Sequence, residues 1–104
     1  MSTPVRPSIF AQDEIEYYLR RYEAEVTGLG DRLWQDIQAA EALISEYPEI
    51  GEVVRRTGGP VRRFPLRHFP FLLIYRHRND HLQIVALAHT SRKPNYWRSR
   101  LSSD

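Results

Sequence analysis

The chain has 104 residues, of which 41% are hydrophobic and 27% charged, and it contains no cysteine. This length predicts a single domain over residues 1–104, with the composition of a soluble globular protein. The missing cysteine excludes disulfides, a thiolate nucleophile and cysteine-based zinc sites, and no apolar run is long enough to span a membrane. We therefore expect a cytoplasmic protein without a cofactor or a membrane partner.

The net charge of +2 conceals a strong asymmetry between the two halves of the chain. Residues 1–54 carry four arginines and eleven acidic residues, a net charge of −7. Residues 55–104 carry ten arginines, one lysine and two acidic residues, a net charge of +9. Part of this charge is expected to be neutralised across the fold. The excess on the second half predicts an anionic partner, either nucleic acid or an acidic protein segment.

Two amphipathic helices are predicted in the first half, after a few residues that are extended at most. The first helix is expected to follow Ser8 as its N-cap and to stop at the glycines of residues 28–30. The second is expected to follow Asp31 as its N-cap and to end before Pro48. Each helix has one apolar stripe at helical spacing: Ala11, Ile15, Tyr18 or Leu19, Tyr22 and Val26 in the first, and Leu33, Ile37, Ala40, Ile44 and Tyr47 in the second.

Three strands are predicted in the second half, over residues 61–67, 69–77 and 81–89. The last two are joined by a turn at residues 78–80 and are apolar on both faces, so they should lie centrally. Pro65 places the first strand at an edge or a bulge. The expected fold class is α+β, an N-terminal helical hairpin packed on a small antiparallel β-sheet. The hairpin covers one face of that sheet, and the other face is expected to be open to a partner.

Four stretches of the sequence, in this order, match a known family of small proteins. They are Ser8-x-x-Ala11-x-x-Glu14-Ile15, Tyr47-Pro48-Glu49-Ile50-Gly51, Val61-Arg62-Arg63-Phe64 with Phe69-Pro70-Phe71 and Ile74-Tyr75-Arg76, and Ala88-His89-x-x-Arg92-x-Pro94-x-x-Trp97. Over residues 8–97 the chain resembles the RelE/ParE toxins of bacterial type II toxin–antitoxin systems. The last stretch is similar to the closing motif of the ParE-like members. The resemblance implies the RelE/ParE toxin fold.

The ParE resemblance implies a toxin that inhibits a cytosolic target, DNA gyrase, and that a cognate antitoxin neutralises in a hetero-oligomer. The alternative is a RelE-like, metal-independent endonuclease that cuts mRNA on the ribosome. A third interpretation is a toxin fold that has lost its activity and only binds its partner. The closing motif favours the ParE interpretation. So does the scarcity of lysine, because Lys93 is the single one in the chain and RelE-like toxins commonly have several.

Four residues match the requirements of RelE-like chemistry: Arg63, His89, Arg92 and Tyr96. Metal-free cleavage through the 2′-hydroxyl needs a base, a cation for the phosphorane and an acid for the leaving oxygen. His89 can exchange protons near neutral pH, the arginines can hold phosphate, and Tyr96 can stack on a base. The competing interpretation is structural: His89 caps the last strand, Arg92 pairs with a helix acid, and Tyr96 packs on the sheet.

The predicted partner-binding residues lie in the basic half, around the sheet face expected to be open. They are Arg62, Arg63, Arg67, Arg76, Arg92 and Trp97. An acidic antitoxin segment with apolar anchor residues would match that surface. For Trp97 packing is also expected, because a large ring near a chain end usually holds that end in place. Arg55 and Arg56 are assigned to a solvated loop, and no metal site is expected.

Overall fold

A computed structural model describes residues 2–56 and 58–102. In chain order the elements are β1 (Val5–Pro7), α1 (Ile9–Glu25), α2 (Leu29–Glu46), β2 (Glu52–Arg55), β3 (Val61–Pro65), β4 (Phe71–Arg78), β5 (His81–His89) and a short 3-10 helix, η1 (Arg98–Ser102). The strands form one sheet in the order β1-β5-β4-β3-β2. The predicted α+β fold, a helical hairpin on a sheet, is confirmed.

The N-terminal segment contributes a strand that the sequence did not predict. Residues of β1 pair in parallel with β5, with Val5 opposite Leu82, so the sheet is mixed rather than purely antiparallel. Proline is tolerated here because β1 is an edge strand, whose outward-facing backbone needs no ladder partner. The chain passes directly from β1 into α1, where the Ser8 side chain accepts the Ala11 N–H at 3.1 Å. The prediction that Ser8 is the N-cap is confirmed.

The turn between the helices differs from the prediction. Helix α2 begins at Leu29, so Asp31 lies in its first turn instead of capping it. The capping acceptor comes from α1, because the Glu23 carboxylate accepts the N–H groups of Gly28 at 2.9 Å and Gly30 at 3.0 Å. Gly28 has a left-handed φ of 90°, which reverses the chain. The expectation that Asp31 caps α2 is therefore wrong, because the Glu23 carboxylate of α1 accepts the N–H groups at the start of α2.

Strand β2 pairs antiparallel with β3, which places Arg55 in a strand rather than in the expected loop. Strand β3 is thus an interior strand, but its register with β2 stops at Arg63. Pro65 therefore lies where β3 has no neighbour on that side, and its missing N–H costs no ladder bond. The predicted strands over residues 61–67 and 69–77 both extended into the loop that joins β3 to β4, since β3 ends at residue 65 and β4 begins at residue 71. The strand predicted over residues 81–89 is confirmed.

Two separate cores lie on the two faces of the sheet. The helical hairpin covers the first face, whose buried side chains include Leu33, Ile37, Leu73 and Ile84. The second face is covered by the C-terminal segment, which we define as residues 94–102. Its main contact is made by Trp97, which is 4% exposed.

The expectation of an open sheet face is therefore wrong. Trp97 packs against Val61, Ile74 and Val85 on the second face, with Leu101 at the margin. The sequence concealed this cover because Trp97 and Leu101 stand among polar residues without any periodicity. The packing interpretation of Trp97 is confirmed. None of the described helices is long and apolar enough to cross a bilayer.

Candidate functional site

The four candidate catalytic residues line one small cavity, which we call the C-terminal pocket. It has a volume of about 190 Å³ and lies between the second sheet face and the chain that follows β5. Its lining comprises Val54, Arg63, Leu72, Ile74, Ala88, His89, Thr90, Arg92, Lys93, Pro94, Asn95, Tyr96 and Trp97. The sequence prediction that Arg63, His89, Arg92 and Tyr96 belong to one site therefore agrees with the placement of these side chains.

Arg63 is held by a neighbour on the adjacent strand. Its Nε donates to the Glu52 Oε1 at 2.8 Å, and its Nη2 lies 2.7 Å from the same oxygen. The two side chains are 45% and 67% exposed, so water screens this ion pair and its contribution to stability is small. Arg63 keeps an exposed guanidinium at the mouth of the pocket.

His89 is fixed at the end of β5 by ring packing and by hydrogen bonds with Ser91 and Arg92. Its ring stacks on Tyr18 with a centroid distance of 6.1 Å and meets the Phe71 ring edge-on at 5.1 Å. Its Nδ1 accepts the N–H of Ser91 at 3.1 Å. A nitrogen that accepts this hydrogen bond carries no proton, so the neutral ring carries its proton on Nε2. His89 therefore caps the end of β5, as the structural interpretation predicted.

Arg92 does not pair with a helix acid, so this part of the structural interpretation is wrong. Its guanidinium carbon lies 3.9 Å from the centre of the Tyr96 ring, in a cation–π contact. The Tyr96 hydroxyl donates to the Glu14 Oε2 at 2.6 Å. Burial and the neighbouring Glu14 carboxylate raise the pKa of Tyr96 far above its ordinary value. The arginine that does pair with α1 is Arg100.

Glu14, Tyr96 and Arg100 form a partly buried cluster that joins α1 to the C-terminal segment. The two carboxylate oxygens of Glu14 each accept from an Arg100 nitrogen at 2.9 Å. Glu14 Oε1 also accepts the N–H of Leu87 at 3.1 Å, and Arg100 donates to the carbonyl of Val85 at 3.1 Å. The hydrogen bond to Glu14 raises the pKa of Arg100. Sequence reasoning missed the role of this cluster, although Glu14 stands in the first motif that carried the family resemblance.

The predicted partner-binding arginines do not share one surface. Arg62 lies on the helix side of β3 and donates to the carbonyls of Glu49 at 3.1 Å and Gly51 at 2.9 Å. Arg76 binds the C-terminal segment through the carbonyl of Leu101 at 3.0 Å. Arg67 is exposed on the loop between β3 and β4. Arg62 and Arg76 therefore hold parts of the fold together, whereas Arg67 makes no contribution to the C-terminal pocket.

Comparison with protein families identifies the fold. A model of the family described as the ParE toxin of the type II toxin–antitoxin system, parDE, matches residues 10–94. The chain belongs to the ParE toxin family. Among solved structures, the chromosomal ParDE TA system from P. aeruginosa is similar, with a TM-score of 0.68 and 18% identity over 86% of this chain and 98% of that chain. No curated protein sequence matches the chain.

The helices of this ParE-family chain form a second cavity, the hairpin groove, with a volume of about 920 Å³. Its lining comprises Pro7, Gln12, Ile15, Glu16, Leu19, Arg20, Glu23, Ala24, Gly30, Asp31, Trp34 and Glu41. The Trp34 side chain is 40% exposed there. Burial raises the pKa of the Glu41 carboxyl above its ordinary value. The apolar spacing of the helices predicted core residues and gave no indication of this groove.

Residues able to bind a metal ion are dispersed. Within residues 2–56 and 58–102 no three histidine, aspartate or glutamate side chains form a group that could hold a metal ion. At the hairpin turn His81 Nδ1 lies 3.2 Å from the Asp80 Oδ1, and this hydrogen bond lowers the pKa of Asp80. The pair lies at the start of β5, whereas the residues of β5 that line the C-terminal pocket lie at the other end of that strand.

Proposed function

We propose that this ParE-family chain is a toxin that inhibits DNA gyrase and that a cognate antitoxin neutralises it. The observation that carries the proposal is the family match over residues 10–94, because the family is described as the toxin of the parDE system. The polar contacts of the C-terminal pocket add support for a binding role. They hold its candidate catalytic groups in intramolecular hydrogen bonds and stacking contacts.

A nuclease centre would need groups that exchange protons with the substrate near neutral pH. The Tyr96 hydroxyl is hydrogen-bonded to Glu14, and its raised pKa makes it a poorer acid. The His89 Nδ1 is used by the Ser91 N–H, which leaves only Nε2 for chemistry. These contacts favour binding to a target over cleavage of RNA.

One observation favours the RelE-like alternative. Arg63, His89 and Arg92 all line the same pocket, so two arginines and a histidine border one cavity. Such a set can bind a phosphate and supply one proton-transfer group. The alternative therefore remains testable at these residues.

The triple variant Arg63→Ala, His89→Ala, Arg92→Ala separates the two functions. If the chain binds gyrase without cutting RNA, expression of the variant should still arrest growth, and the wild type should leave cellular mRNA intact in primer-extension assays. A circular dichroism spectrum and a urea midpoint close to those of the wild type serve as the folding control. The nuclease would be established instead by two results together. The variant would no longer arrest growth, and the wild type, but not the variant, would cleave mRNA on the ribosome.

The antitoxin is proposed to cover the hairpin groove. The groove exposes Trp34, and an aromatic side chain at the centre of an interface commonly carries much of the binding energy. Its charged lining residues are Glu16, Arg20, Glu23, Asp31 and Glu41. An apolar antitoxin segment with flanking cationic residues would complement that lining.

Trp34→Ala is expected to weaken antitoxin binding by at least about thirtyfold, the size of a hot-spot truncation of roughly 2 kcal/mol. Tyr47→Ala is the matched control, because Tyr47 is an exposed aromatic residue outside the groove. Its effect should stay within about threefold, as for most peripheral residues. Isothermal titration with the antitoxin measures both variants. Equal losses for Trp34 and Tyr47 would refute docking in the groove.

The Glu41 carboxyl predicts a pH-dependent effect on stability. Because burial raises its pKa in the folded chain, protonation of Glu41 stabilises the fold below the ordinary pKa of 4.5, and this stabilisation is lost as the pH rises through the raised value. Glu41→Gln is neutral at every pH. Its urea midpoint should therefore exceed that of the wild type at neutral pH and equal it in acid. A midpoint below that of the wild type at neutral pH would show that Glu41 stabilises the free chain as an anion.

A further inference from the structure

The C-terminal pocket combines an apolar floor with a basic rim. The floor is formed by Leu72, Ile74 and Ala88 from the two central strands and by Val54 from β2. Leu72 and Val54 are only partly buried and present accessible apolar surface. The rim carries three cationic side chains, Arg63, Arg92 and Lys93. Among the described residues that line the pocket there is no aspartate or glutamate. The pocket is thus suited to an anionic ligand that also has an apolar part.

The rim cations remain available to a ligand. Arg92 stacks its guanidinium face on Tyr96, and a guanidinium stacked in this way keeps the N–H donors along its edge. In the described part of the chain no carboxylate lies within ion-pair distance of Arg92 or Lys93. The Arg63–Glu52 pair is exposed, so a ligand carboxylate can share or replace it at little cost.

The aromatic residues of the pocket favour a peptide over a nucleic acid. Single-stranded nucleic acids bind by stacking bases on free aromatic faces along a basic track. Here Trp97 is buried in the second core, and the Tyr96 ring is stacked with Arg92. A peptide needs no free ring, because one apolar side chain can fill the floor while neighbouring carboxylates meet the rim.

We propose that the C-terminal pocket binds an acidic peptide segment that inserts one apolar side chain between Val54 and Leu72. The carboxylates that flank this side chain pair with Arg92, Lys93 and Arg63. The proposal rests on the proposed function in one respect, namely that the peptide belongs to the antitoxin. The hairpin groove has an acidic lining and the C-terminal pocket a basic one, so the antitoxin would use two segments of opposite charge.

Fluorescence anisotropy with the purified chain tests this site. The probes are short labelled peptides with one central leucine, isoleucine, phenylalanine or methionine among aspartates and glutamates. At least one should bind, and replacing its apolar residue with serine should weaken binding by about tenfold or more, or 1.4 kcal/mol. Added salt should slow its association more than it speeds its dissociation.

Charge-reversal variants locate the binding site. The double variant Arg92→Glu, Lys93→Glu should lower the affinity for the best-binding peptide by about tenfold or more, and Lys93→Glu alone should lower it by several fold. The matched control, Arg21→Glu with Arg32→Glu, makes the same change in net charge at exposed helix residues that line neither the hairpin groove nor the C-terminal pocket. It should change the affinity by less than about twofold, because salt screens distant charges. Val54→Thr keeps the shape of the pocket floor but makes it polar, so it should also lower the affinity for the peptide.

Three results would overturn the proposal. In the first, no peptide of the panel binds. In the second, the helix control weakens binding as much as the pocket variant, so that the attraction is only net charge. In the third, a single-stranded RNA of the same length displaces the peptide and loses its own affinity in the pocket variant. These assays use the chain without gyrase, so a failed gyrase assay beside successful peptide binding would refute the proposed target alone.

Discussion

Replacing Glu14 with alanine is expected to destabilise the folded chain by about 3–5 kcal/mol, the usual cost of removing one partner from a buried ion pair. Glu14 is 12% exposed and Arg100 17% exposed, so the guanidinium left behind would be largely desolvated without its counterion. The N–H of Leu87 and the hydroxyl of Tyr96 would lose their acceptor as well. The C-terminal segment should therefore separate from α1.

Urea unfolding measures the loss, and Glu16→Ala is the control. Glu16 lies on the same helix, but its 3.7 Å pair with Arg20 is exposed on both sides, so its removal should cost little. Hydrogen exchange gives a local readout, since residues 94–102 should lose protection in Glu14→Ala and keep it in Glu16→Ala. Equal stability of the two variants would mean that the Glu14 cluster does not hold the segment.

Replacing Ile84 with alanine is expected to cost about 2–5 kcal/mol, as found for large aliphatic residues in well-packed cores. Ile84 is fully buried on the first face of the sheet, where it belongs to the core under the helical hairpin. It lies on β5, which pairs with both β1 and β4. A cavity at this point would loosen the contact between the hairpin and the sheet, and for a small domain this is a large share of the total stability.

Ile9→Ala provides the matched control for Ile84→Ala. The Ile9 side chain is 70% exposed at the start of α1, so the same truncation there should change the stability by less than about 0.5 kcal/mol. Both variants are compared by urea unfolding monitored by circular dichroism. A loss below about 1 kcal/mol at Ile84 would contradict its place in a closely packed core.

The elements with strong periodicity could be predicted from the sequence. Helix α1 with its Ser8 cap and strand β5 over residues 81–89 were placed correctly, because apolar spacing and turn residues act locally. Strands β1 and β2 were missed, since three or four residues that include proline or arginine carry no pattern. Their pairing depends on neighbours that are distant in sequence, and single-sequence reasoning cannot detect such partners.

In the candidate site, too, the set of residues could be predicted from the sequence, whereas their long-range contacts could not. That Arg63, His89, Arg92 and Tyr96 meet was predicted from the resemblance, and they do line one pocket. Their partners were not predictable, because the contact of Tyr96 with Glu14 joins residues 82 positions apart. For the same reason the sheet face covered by the C-terminal segment was expected to be open. A polar stretch with one tryptophan has no periodic signal that marks it as a cover.

Supercoiling of relaxed plasmid by purified DNA gyrase is the most direct measurement of the proposed activity. Addition of the purified chain should inhibit supercoiling in proportion to its concentration, and prior mixing with the antitoxin should restore it. The Trp34→Ala variant should inhibit gyrase as the wild type does but need more antitoxin for rescue. Unchanged supercoiling at a large molar excess of the folded chain would contradict the assignment of gyrase as its target.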